Sequence, residues 1–470
     1  MRKINPILKY FLTLISLFRS NIRDYGMYIA LAVIFITFQI LTGNVFLGPI
    51  NFTNLLNQTA YVAVLAVGMT LVIVTRQIDL SVGYLGAFLG AFVVVAVENK
   101  NWPVAIAIFG ALIITIIVGF IKGFLIAKIK VPSFVVTLAG MFIFKGFLMI
   151  RTNNRTISTS NNFFNELGVG YLTDNIVGQL NVLTFAIGVV IAVLILAFAI
   201  YKRKKNQRLN IPVEIPEVFI TKLIFMTVMV IFITYNLAIY KGISWLLLIT
   251  VIVVGIYYFL TTQTVLGRRI YAVGGNPEAA ELSGINVKNI IIIVFISMGV
   301  LSLVSGVMYA SYVQNTSPNH GPFWELYAIA AAYIGGTSAN GGVGKVVNAV
   351  IGAVVMMSLK NGMALAGVNA NIEPIVLGTV LLLAVVFDIY TRNVRTIDLV
   401  GVYYAKKKYR QEYLAAFKEY RKAQDNLAKA RTDGKSTLEF EYALTSAQGT
   451  LNRVNEKIRN AKHEDFQIAK

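Results

Sequence analysis

Long apolar runs separated by short polar stretches dominate the chain. A helix that crosses a bilayer needs about 20 mostly apolar residues, and twelve stretches approach that length. They are residues 27–47, 55–75, 82–97, 103–127, 133–150, 180–200, 219–239, 243–260, 289–313, 325–340, 346–366 and 372–390. Because 82–97 and 325–340 are short or rich in glycine, we expect half-helices or re-entrant segments there. The pattern predicts an all-α, polytopic membrane protein with ten to twelve transmembrane segments.

The distribution of Lys and Arg predicts how these segments are oriented. With the N-terminus in the cytoplasm, the inner stretches that precede the tail hold 17 basic residues. The outer stretches hold 4, namely Lys100, Arg151, Arg155 and Lys241. Since basic residues concentrate on the cytoplasmic side, we expect a multi-pass protein of the cell membrane with both termini in the cytoplasm and an even number of crossings.

Composition agrees with a membrane protein. Of the 470 residues, 57% are hydrophobic and only 14% are charged, whereas soluble domains carry about 25% charge. The net charge of +20 is compatible with a nucleic-acid partner, but the basic residues lie at the ends of apolar runs, so we expect no nucleic-acid binding. The absence of cysteine excludes disulfides and thiolate chemistry. The two histidines, His320 and His463, lie far apart, and we expect neither a metal site nor a cofactor.

Charge divides the chain into three parts. Residues 1–26 contain no small-residue cleavage site before the first long run, which predicts a cytoplasmic or interfacial N-terminus rather than a cleaved signal peptide. Residues 27–395 form the transmembrane domain. Residues 396–470 are charged and helix-prone, and we expect a cytoplasmic helical tail.

The tail has the pattern of a helical hairpin. Aromatic residues recur at spacings of three and four, as on one helix face: Tyr409, Tyr413, Phe417 and Tyr420. Asp433-Gly434 predicts a turn. A second helix can supply a facing stripe of Leu438, Tyr442 and Leu451. The aromatic face is then the seam of the hairpin; contact with a partner protein is the alternative.

The polar loop 261–288 lies on the predicted inner side, between two strong apolar runs. It contains residues that begin and end a helix, followed by small side chains: Asn276, Pro277, Glu278, Ala279, Ala280 and Gly284. The loop predicts a short surface helix held between two membrane helices. One interpretation is a coupling helix that fits a groove of a partner and passes its motion to the membrane. The other is an ordinary capped helix in a loop.

Few ionisable residues interrupt the apolar runs. Arg76 and Asp79 are three residues apart at the inner end of the second run, where they form either a local ion pair or part of an inner gate. Lys122 and Lys222 are expected to extend to the inner interface. Lys145 and Lys360 reach outward or line a path, and Glu373 and Asp388 serve as interface anchors of the last run.

Uncharged polar side chains within the runs are candidates to line a passage for a neutral solute. They are Asn57, Gln58, Thr59, Thr70, Asn361 and Asn369. The alternative for each is a hydrogen bond that joins two helices. The sparsity of buried acidic residues argues against an ion-coupled carrier, because such carriers use buried acids to bind the ion.

A glycine-rich stretch, Gly341-Gly342-Val343-Gly344-Lys345, is similar to a phosphate-binding loop. That loop requires another Gly five residues before the Gly that precedes the Lys, and Ser or Thr after the Lys. Ala339 and Val346 stand at those positions, so the stretch fails the pattern. We expect any ATP that drives this protein to be bound by another chain.

Three motifs resemble the permease family of bacterial ATP-binding cassette (ABC) importers for ribose and xylose. The loop reads Gly267-Arg268, Ile270-Tyr271-Ala272, Gly274-Gly275-Asn276, Glu278-Ala279-Ala280 and Ser283-Gly284-Ile285, similar to the coupling region of that family. Residues 78–83 read IDLSVG, preceded by Arg76-Gln77 as in the xylose-type branch. Residues 328–344 resemble its AIAAxxIGGTS-x-x-GG-x-G signature. The likeness covers about residues 25–395.

The resemblance implies a type II-like importer permease that passes a monosaccharide inward. It implies three protein partners: an ABC ATPase subunit, an extracytoplasmic sugar-binding protein and a second permease copy. The ATPase-coupling residues would be Arg268, Arg269, Asn276, Pro277, Glu278, Ala279, Ala280 and Gly284. The candidates named above for the translocation path or gate, which come from the polar and charged residues of the apolar runs, are Arg76, Asp79, Asn57, Gln58 and Asn361.

Three alternatives stay open at this stage. A nucleoside permease of the same superfamily has similar motifs. A secondary sugar carrier would work without ATP. A membrane enzyme would need an acidic catalytic or metal-binding cluster at the interface, and the loops hold only scattered acids.

Overall fold

The structure is a computed structural model that describes residues 22–172, 176–177, 180–209, 216–392, 409–433 and 436–460. It contains two compact units. One holds residues 26–214 and 219–392, and we call it the membrane unit; the other holds the C-terminal tail.

Helices dominate the described part of the membrane unit. In chain order they are α1 (Ile22–Leu41), α2 (Pro49–Val74), α3 (Val82–Lys100), α4 (Val104–Ala127), α5 (Ser133–Thr152), α6 (Asn162–Val169), α7 (Val182–Arg208), α8 (Pro216–Tyr240), α9 (Trp245–Gln263), α10 (Val265–Gly275), α11 (Pro277–Leu282), α12 (Val287–Tyr312), α13 (Trp324–Ile334), α14 (Val346–Leu365) and α15 (Glu373–Arg392). A 3-10 turn, Ala370–Ile372, precedes α15. Two short antiparallel pairs join β1 (Ile157–Ser158) to β4 (Asn315–Thr316) and β2 (Ile176–Val177) to β3 (Leu180–Asn181).

Ten helices of the described chain are long and apolar enough to cross a membrane. They are α2 to α5, α7 to α9, α12, α14 and α15. The last apolar segment runs from Ala370 to Phe387 and includes the 3-10 turn before α15. A shorter apolar helix, Gly26–Leu41, precedes them. The prediction of an all-α polytopic membrane protein is confirmed.

The two expected half-helices have different outcomes. Helix α13 has 11 residues and ends before Gly335, so it is about 16 Å long and covers roughly half of the hydrocarbon. The prediction for 325–340 is therefore confirmed. The prediction for 82–97 is wrong, because α3 is continuous over 19 residues.

The glycines of α3 have a packing role instead of breaking the helix. A Cβ atom on Gly86 would lie 2.9 Å from Ser302 O, and one on Gly90 would lie 2.6 Å from Gly306 O. Helix α3 thus approaches α12 at a distance that only glycine permits. Such small-residue contacts replace the hydrophobic effect as the source of helix association in lipid.

Helix α2 occupies the centre of the membrane unit. Its apolar window is 94% buried, against 78% for α3 and 67% for α12. It packs against α9, α12, α13 and α14. A helix that is apolar on every side suits a position surrounded by other helices. Contacts made at the ends of α2 therefore reach the centre of the membrane unit.

The described part of the C-terminal tail consists of two packed helices, α16 (Arg410–Thr432) and α17 (Leu438–Arg459). Their seam contains Ala416, Val454 and Ile458 with Tyr409, Tyr413 and Leu451 around them. The predicted facing stripe is wrong at Leu438 and Tyr442, which are 77% and 80% exposed. These two residues lie about half a turn away from the face that carries Val454 and Ile458.

Candidate coupling site

Two short helices meet at Asn276 on the predicted cytoplasmic side. Helix α10 begins after Thr264, whose Oγ1 accepts a hydrogen bond from Gly267 N at 3.1 Å. Asn276 ends α10 and caps α11, because its Oδ1 accepts a hydrogen bond from Ala279 N at 3.0 Å. Pro277 takes the first position of α11, where a missing N–H costs nothing. The predicted start of the short helix is confirmed.

The end of α11 is closed by Gly284. Its φ is +81°, a left-handed conformation that glycine adopts without strain. Gly284 N donates to Glu281 O at 2.9 Å, and Ile285 N donates to Ala280 O at 3.0 Å. This pair of hydrogen bonds is the Schellman arrangement. A helix of only six residues is therefore fixed at both ends.

The outer face of the helix pair is open. Arg268 and Arg269 on α10 are exposed, as are Glu278 and Ala279 on α11. Leu282 is 91% exposed, although an apolar side chain gains free energy from burial. Ala280, by contrast, is buried on the inner face of α11. Sequence reasoning missed Leu282, which stands one residue before the Ser-Gly-Ile motif.

Arg76 binds the carboxyl end of α10. Its Nε donates to Gly274 O at 2.7 Å and its Nη2 donates to Gly275 O. The last turn of α10 has no basic residue of its own. The guanidinium of Arg76 thus supplies the donors and the positive charge that a helix C-terminus favours. The predicted ion pair between Arg76 and Asp79 is wrong, because each side chain has another partner.

A glycine loop, residues 341–344, completes the site. Gly342 N donates to Val74 O at 2.9 Å, and Tyr271 Oη donates to Gly344 O at 2.6 Å. Burial raises the pKa of the Tyr271 hydroxyl, which keeps it a donor. A Cβ atom on Gly274 would lie 1.9 Å from Val74 O. We call this meeting point of α10, the end of α2 and the glycine loop the coupling junction.

Asp79 forms a buried ion pair on the chain segment that leaves the coupling junction. Lys122 Nζ of α4 lies 2.6 Å from Asp79 Oδ2, and both side chains are at most 5% exposed. Ser81 donates from its hydroxyl to Asp79 Oδ1 at 2.6 Å. The prediction that Lys122 extends to the interface is wrong. The sequence did contain a signal that this face of α4 is buried. Two glycines near Lys122, Gly119 and Gly123, lie against Ile296 and Ile292 of α12.

The predicted path residues have different surroundings. Asn57 is buried and accepts at Oδ1 a hydrogen bond from Ser244 Oγ at 2.6 Å. Asn361 exchanges two side-chain hydrogen bonds with Asn51, at 2.9 and 3.1 Å. Both asparagines thus join α2 to another helix. Gln58 is half-buried.

The two candidate threonines of α2 bond within their own helix. Thr59 Oγ1 donates to Leu55 O and Thr70 Oγ1 donates to Ala66 O, both four residues back. Such bonds satisfy a buried hydroxyl without a second helix. Asn369, the remaining polar candidate, caps the 3-10 turn by accepting from Asn371 N at 2.9 Å.

A second polar network connects α13, α14 and α15. Lys360 Nζ lies 3.0 Å from Glu373 Oε1, and the Tyr327 hydroxyl donates to the same carboxylate. Lys145 is exposed and lies over the ring of Tyr84 at 5.8 Å. Lys222 is exposed. The side chain of Asp388 lies outside the described residues.

The described residues contain no group of three or more His, Cys, Asp or Glu residues that could hold a metal ion. His320 contacts the ring of Tyr309, with centroids 4.9 Å apart. Burial lowers the pKa of His320 to about 4, so the imidazole is neutral near pH 7. His463 lies outside the described residues.

Comparison with known proteins identifies the family. The family model "branched-chain amino acid transport system / permease component" matches residues 51–385. The xylose transport system permease protein XylH of Haemophilus influenzae is 38% identical over 371 residues, which are 78% of this chain and 96% of that protein. XylH of Escherichia coli K12 is 37% identical over 377 residues, 79% of this chain and 93% of that protein.

The ribose import permease protein RbsC of Escherichia coli K12 is more distant. It is 32% identical over 342 residues, 72% of this chain and 85% of that protein. No solved structure matches the chain. The family match covers most of the membrane unit, from residue 51 to residue 385, and every element of the coupling junction. With its membrane helices, its capped helix pair and this match over well more than half of its length, the chain belongs to the family of transport-system permease components.

Proposed function

We propose that this chain is the permease subunit of an ATP-driven importer and passes a monosaccharide inward, with a pentose such as xylose as the first candidate. The coupling junction is the observation that carries the proposal. The relatives named for xylose transport, at 37–38% identity over most of their length, support the substrate class. The chain is a translocation component, and a separate ATPase subunit hydrolyses ATP.

The coupling junction connects α11 to three membrane helices. A partner that binds the exposed face of α11 and moves would displace this helix as a unit, because it is capped at both ends. Arg76 and the bond from Gly342 to Val74 pass the load into the central helix α2. The bond from Tyr271 to Gly344 passes it toward α14, which begins at Val346. The short segment after Gly284 passes it into α12, which begins at Val287.

The remaining partners follow from this role. An extracytoplasmic sugar-binding protein delivers the solute to the outer loops, and a second copy of the chain completes a two-fold assembly, since closed symmetric dimers are the common solution. The excess of basic residues on the inner stretches supports cytoplasmic N- and C-termini. Arg76 belongs to coupling, Asp79 positions the segment that follows it, and Gln58 and Asn361 remain candidates for the path.

Reconstitution tests the proposal. The chain, the ATPase and the binding protein are placed in sealed vesicles, and uptake of labelled xylose, ribose and a nucleoside is measured with and without ATP. We expect ATP-dependent uptake of a pentose. Ion-driven uptake by this chain alone would identify a secondary carrier, and uptake of the nucleoside alone would identify the related nucleoside permease.

A pair of variants tests the coupling helix. Ala279→Trp places a bulky side chain on the exposed face of α11, so we expect loss of ATPase binding and of uptake. Ala443→Trp adds the same group at an exposed position of α17 and serves as the matched control. A folded Ala279→Trp protein that keeps both activities would refute the role of α11.

A further inference from the structure

The C-terminal hairpin lies outside the part of the chain that the family match covers, which ends at residue 385. The alignment with XylH of Haemophilus influenzae leaves only 4% of that relative unmatched, although it covers 78% of this chain. The comparisons therefore assign no role to the hairpin. Its surface has to be interpreted from its own residues.

One face of α16 is strongly basic. At 3.6 residues per turn, the residues opposite the seam form a single stripe along the helix. The stripe contains Arg410, Lys418, Arg421, Lys422 and Lys429, all exposed. Leu414, which is 52% exposed, lies within it, and Asp425 is its one acidic member.

The two glutamates of α16 lie away from the stripe. Glu412 and Glu419 lie near the seam side of the helix, and Glu412 Oε2 lies 3.9 Å from Lys457 Nζ of α17. At the other end of the hairpin, Arg431 pairs with Glu441 at 3.3 Å. These pairs neutralise charge along the flanks, whereas the stripe itself holds five basic residues and only Asp425 as an acidic one. The outer face of α17 differs, because Arg453 and Glu456 balance there beside Leu438 and Tyr442.

The linker limits how far this stripe can lie from the end of a membrane helix. Membrane helix α15 ends at Arg392 and α16 begins at Arg410. The residues between them reach at most about 60 Å when fully extended. Tethering makes the encounter with the bilayer surface intramolecular, so weak contacts are sufficient. Basic clusters on an amphipathic helix bind anionic headgroups, and an exposed leucine among basic residues suits insertion at the interface.

We propose that the basic stripe of α16 binds an anionic lipid surface and holds the hairpin against the membrane. The occupant is a lamella of negatively charged phospholipid headgroups, contacted by Arg410, Lys418, Arg421, Lys422 and Lys429 with Leu414 at the interface. The inference goes beyond transport and depends neither on the substrate nor on the ATPase.

The full-length chain has no cysteine, so a single introduced cysteine can be labelled specifically. A single Gln411→Cys substitution places a fluorophore in the stripe, and Ser446→Cys places it on the outer face of α17 as a control; both positions are exposed. The protein is reconstituted in nanodiscs of phosphatidylcholine, with or without phosphatidylglycerol, that contain a nitroxide-labelled lipid. Nanodiscs expose both bilayer faces, so the result does not depend on the orientation of the chain.

We expect quenching at position 411 to be several-fold stronger in the anionic discs, to fall at high salt because screening weakens exposed charges, and to stay low at position 446. The triple variant Lys418→Gln, Arg421→Gln, Lys422→Gln should lose the effect. The matched triple Arg453→Gln, Lys457→Gln, Arg459→Gln removes equal charge from α17 and should keep it. The dependence of quenching on salt and on anionic lipid is measured with the basic stripe intact. A triple variant that fails to fold therefore cannot by itself decide the test.

Equal quenching in anionic and neutral discs would overturn the proposal. Equal loss in both triples would also overturn it, because the net charge and not the stripe would then be responsible. A third arm adds the purified ATPase to neutral discs. If the fluorophore at position 411 responds to the ATPase and not to anionic lipid, the stripe binds an acidic protein surface and the lipid proposal fails, while the transport function stands.

Discussion

Lys122 Nζ contacts Asp79 Oδ2 at 2.6 Å inside the membrane unit, and both side chains are at most 5% exposed. Ser81 completes the cluster by bonding both partners, since its Oγ donates to Asp79 and accepts from Lys122 Nζ at 3.0 Å. A buried charge is tolerated only when it is paired and hydrogen-bonded. The cluster therefore fixes the segment between α2 and α3 against α4, directly beyond the coupling junction.

Removing one partner of this pair should destabilise the protein strongly. Lys122→Met leaves the Asp79 carboxylate buried without its cation, for which the expected loss is about 3–5 kcal/mol of unfolding free energy. Asp79→Asn together with Lys122→Met removes both charges and should recover most of that loss. The midpoint of thermal unfolding in detergent, followed by tryptophan fluorescence, measures both effects. Equal destabilisation by the single and double variants would contradict a mutual dependence of the two charges.

Arg76 should be needed for coupling but not for folding. Its φ of +64° places it in the left-handed region, where a residue other than glycine pays about 1–2 kcal/mol. Arg76→Gly relieves that cost and removes the donors to Gly274 O and Gly275 O. We expect unfolding free energy within about 1 kcal/mol of the wild type and a loss of ATP-driven uptake in reconstituted vesicles.

Lys130 is the matched control for Arg76. It is also a basic residue with positive φ, +67°, shortly after the end of a membrane helix, and its side chain is exposed. Lys130→Gly should leave uptake unchanged. If both variants lose uptake, backbone flexibility and not the Arg76 contact is responsible; if neither does, Arg76 has no part in coupling.

Two adjacent glycines of α10 should respond differently to a methyl group. A Cβ atom at Gly274 would lie 1.9 Å from Val74 O and 2.7 Å from Gly342 N, whereas a Cβ atom at Gly275 meets no atom within 4 Å. Gly274→Ala should separate α10 from α2 and abolish uptake. Gly275→Ala should be tolerated, since it keeps the carbonyl that Arg76 binds. Uptake per folded protein distinguishes the two, and a tolerated Gly274→Ala would show that the junction opens without consequence.

The sequence predicted local structure better than side-chain partners. The caps at Asn276 and Gly284 act within a few residues, so their geometry follows from the local sequence, and both are present. The 20-residue apolar runs gave most of the spans for the same reason. The half-helix at α13 also follows from local sequence, because two glycines stop it.

Long-range pairing is where sequence reasoning failed. Asp79 stands next to Arg76 in sequence but pairs with Lys122, because α4 lies beside the segment after α2. Arg76 in turn binds carbonyls nearly 200 residues away. The glycines of α3 suggested a break, yet they mark close contact with α12. These relationships depend on how helices pack in three dimensions, which a single sequence does not record. The roles of the coupling and path residues stay predictions.

Asn57 and Gln58, adjacent on α2, should separate helix joining from solute passage. Asn57 is buried against Ser244, with a 2.6 Å bond between their side chains, so Asn57→Ala should lower the unfolding free energy by about 0.6–1.7 kcal/mol. Ser244→Ala should cost a similar amount, and the double variant should cost less than the two losses combined, because both remove one bond. The Michaelis constant for sugar uptake should stay unchanged in all three. Gln58 is half-buried and turned about 100° away around the helix; Gln58→Ala should alter uptake with little effect on stability. A changed Michaelis constant in Asn57→Ala, with additive losses in the double variant, would place Asn57 in the path instead.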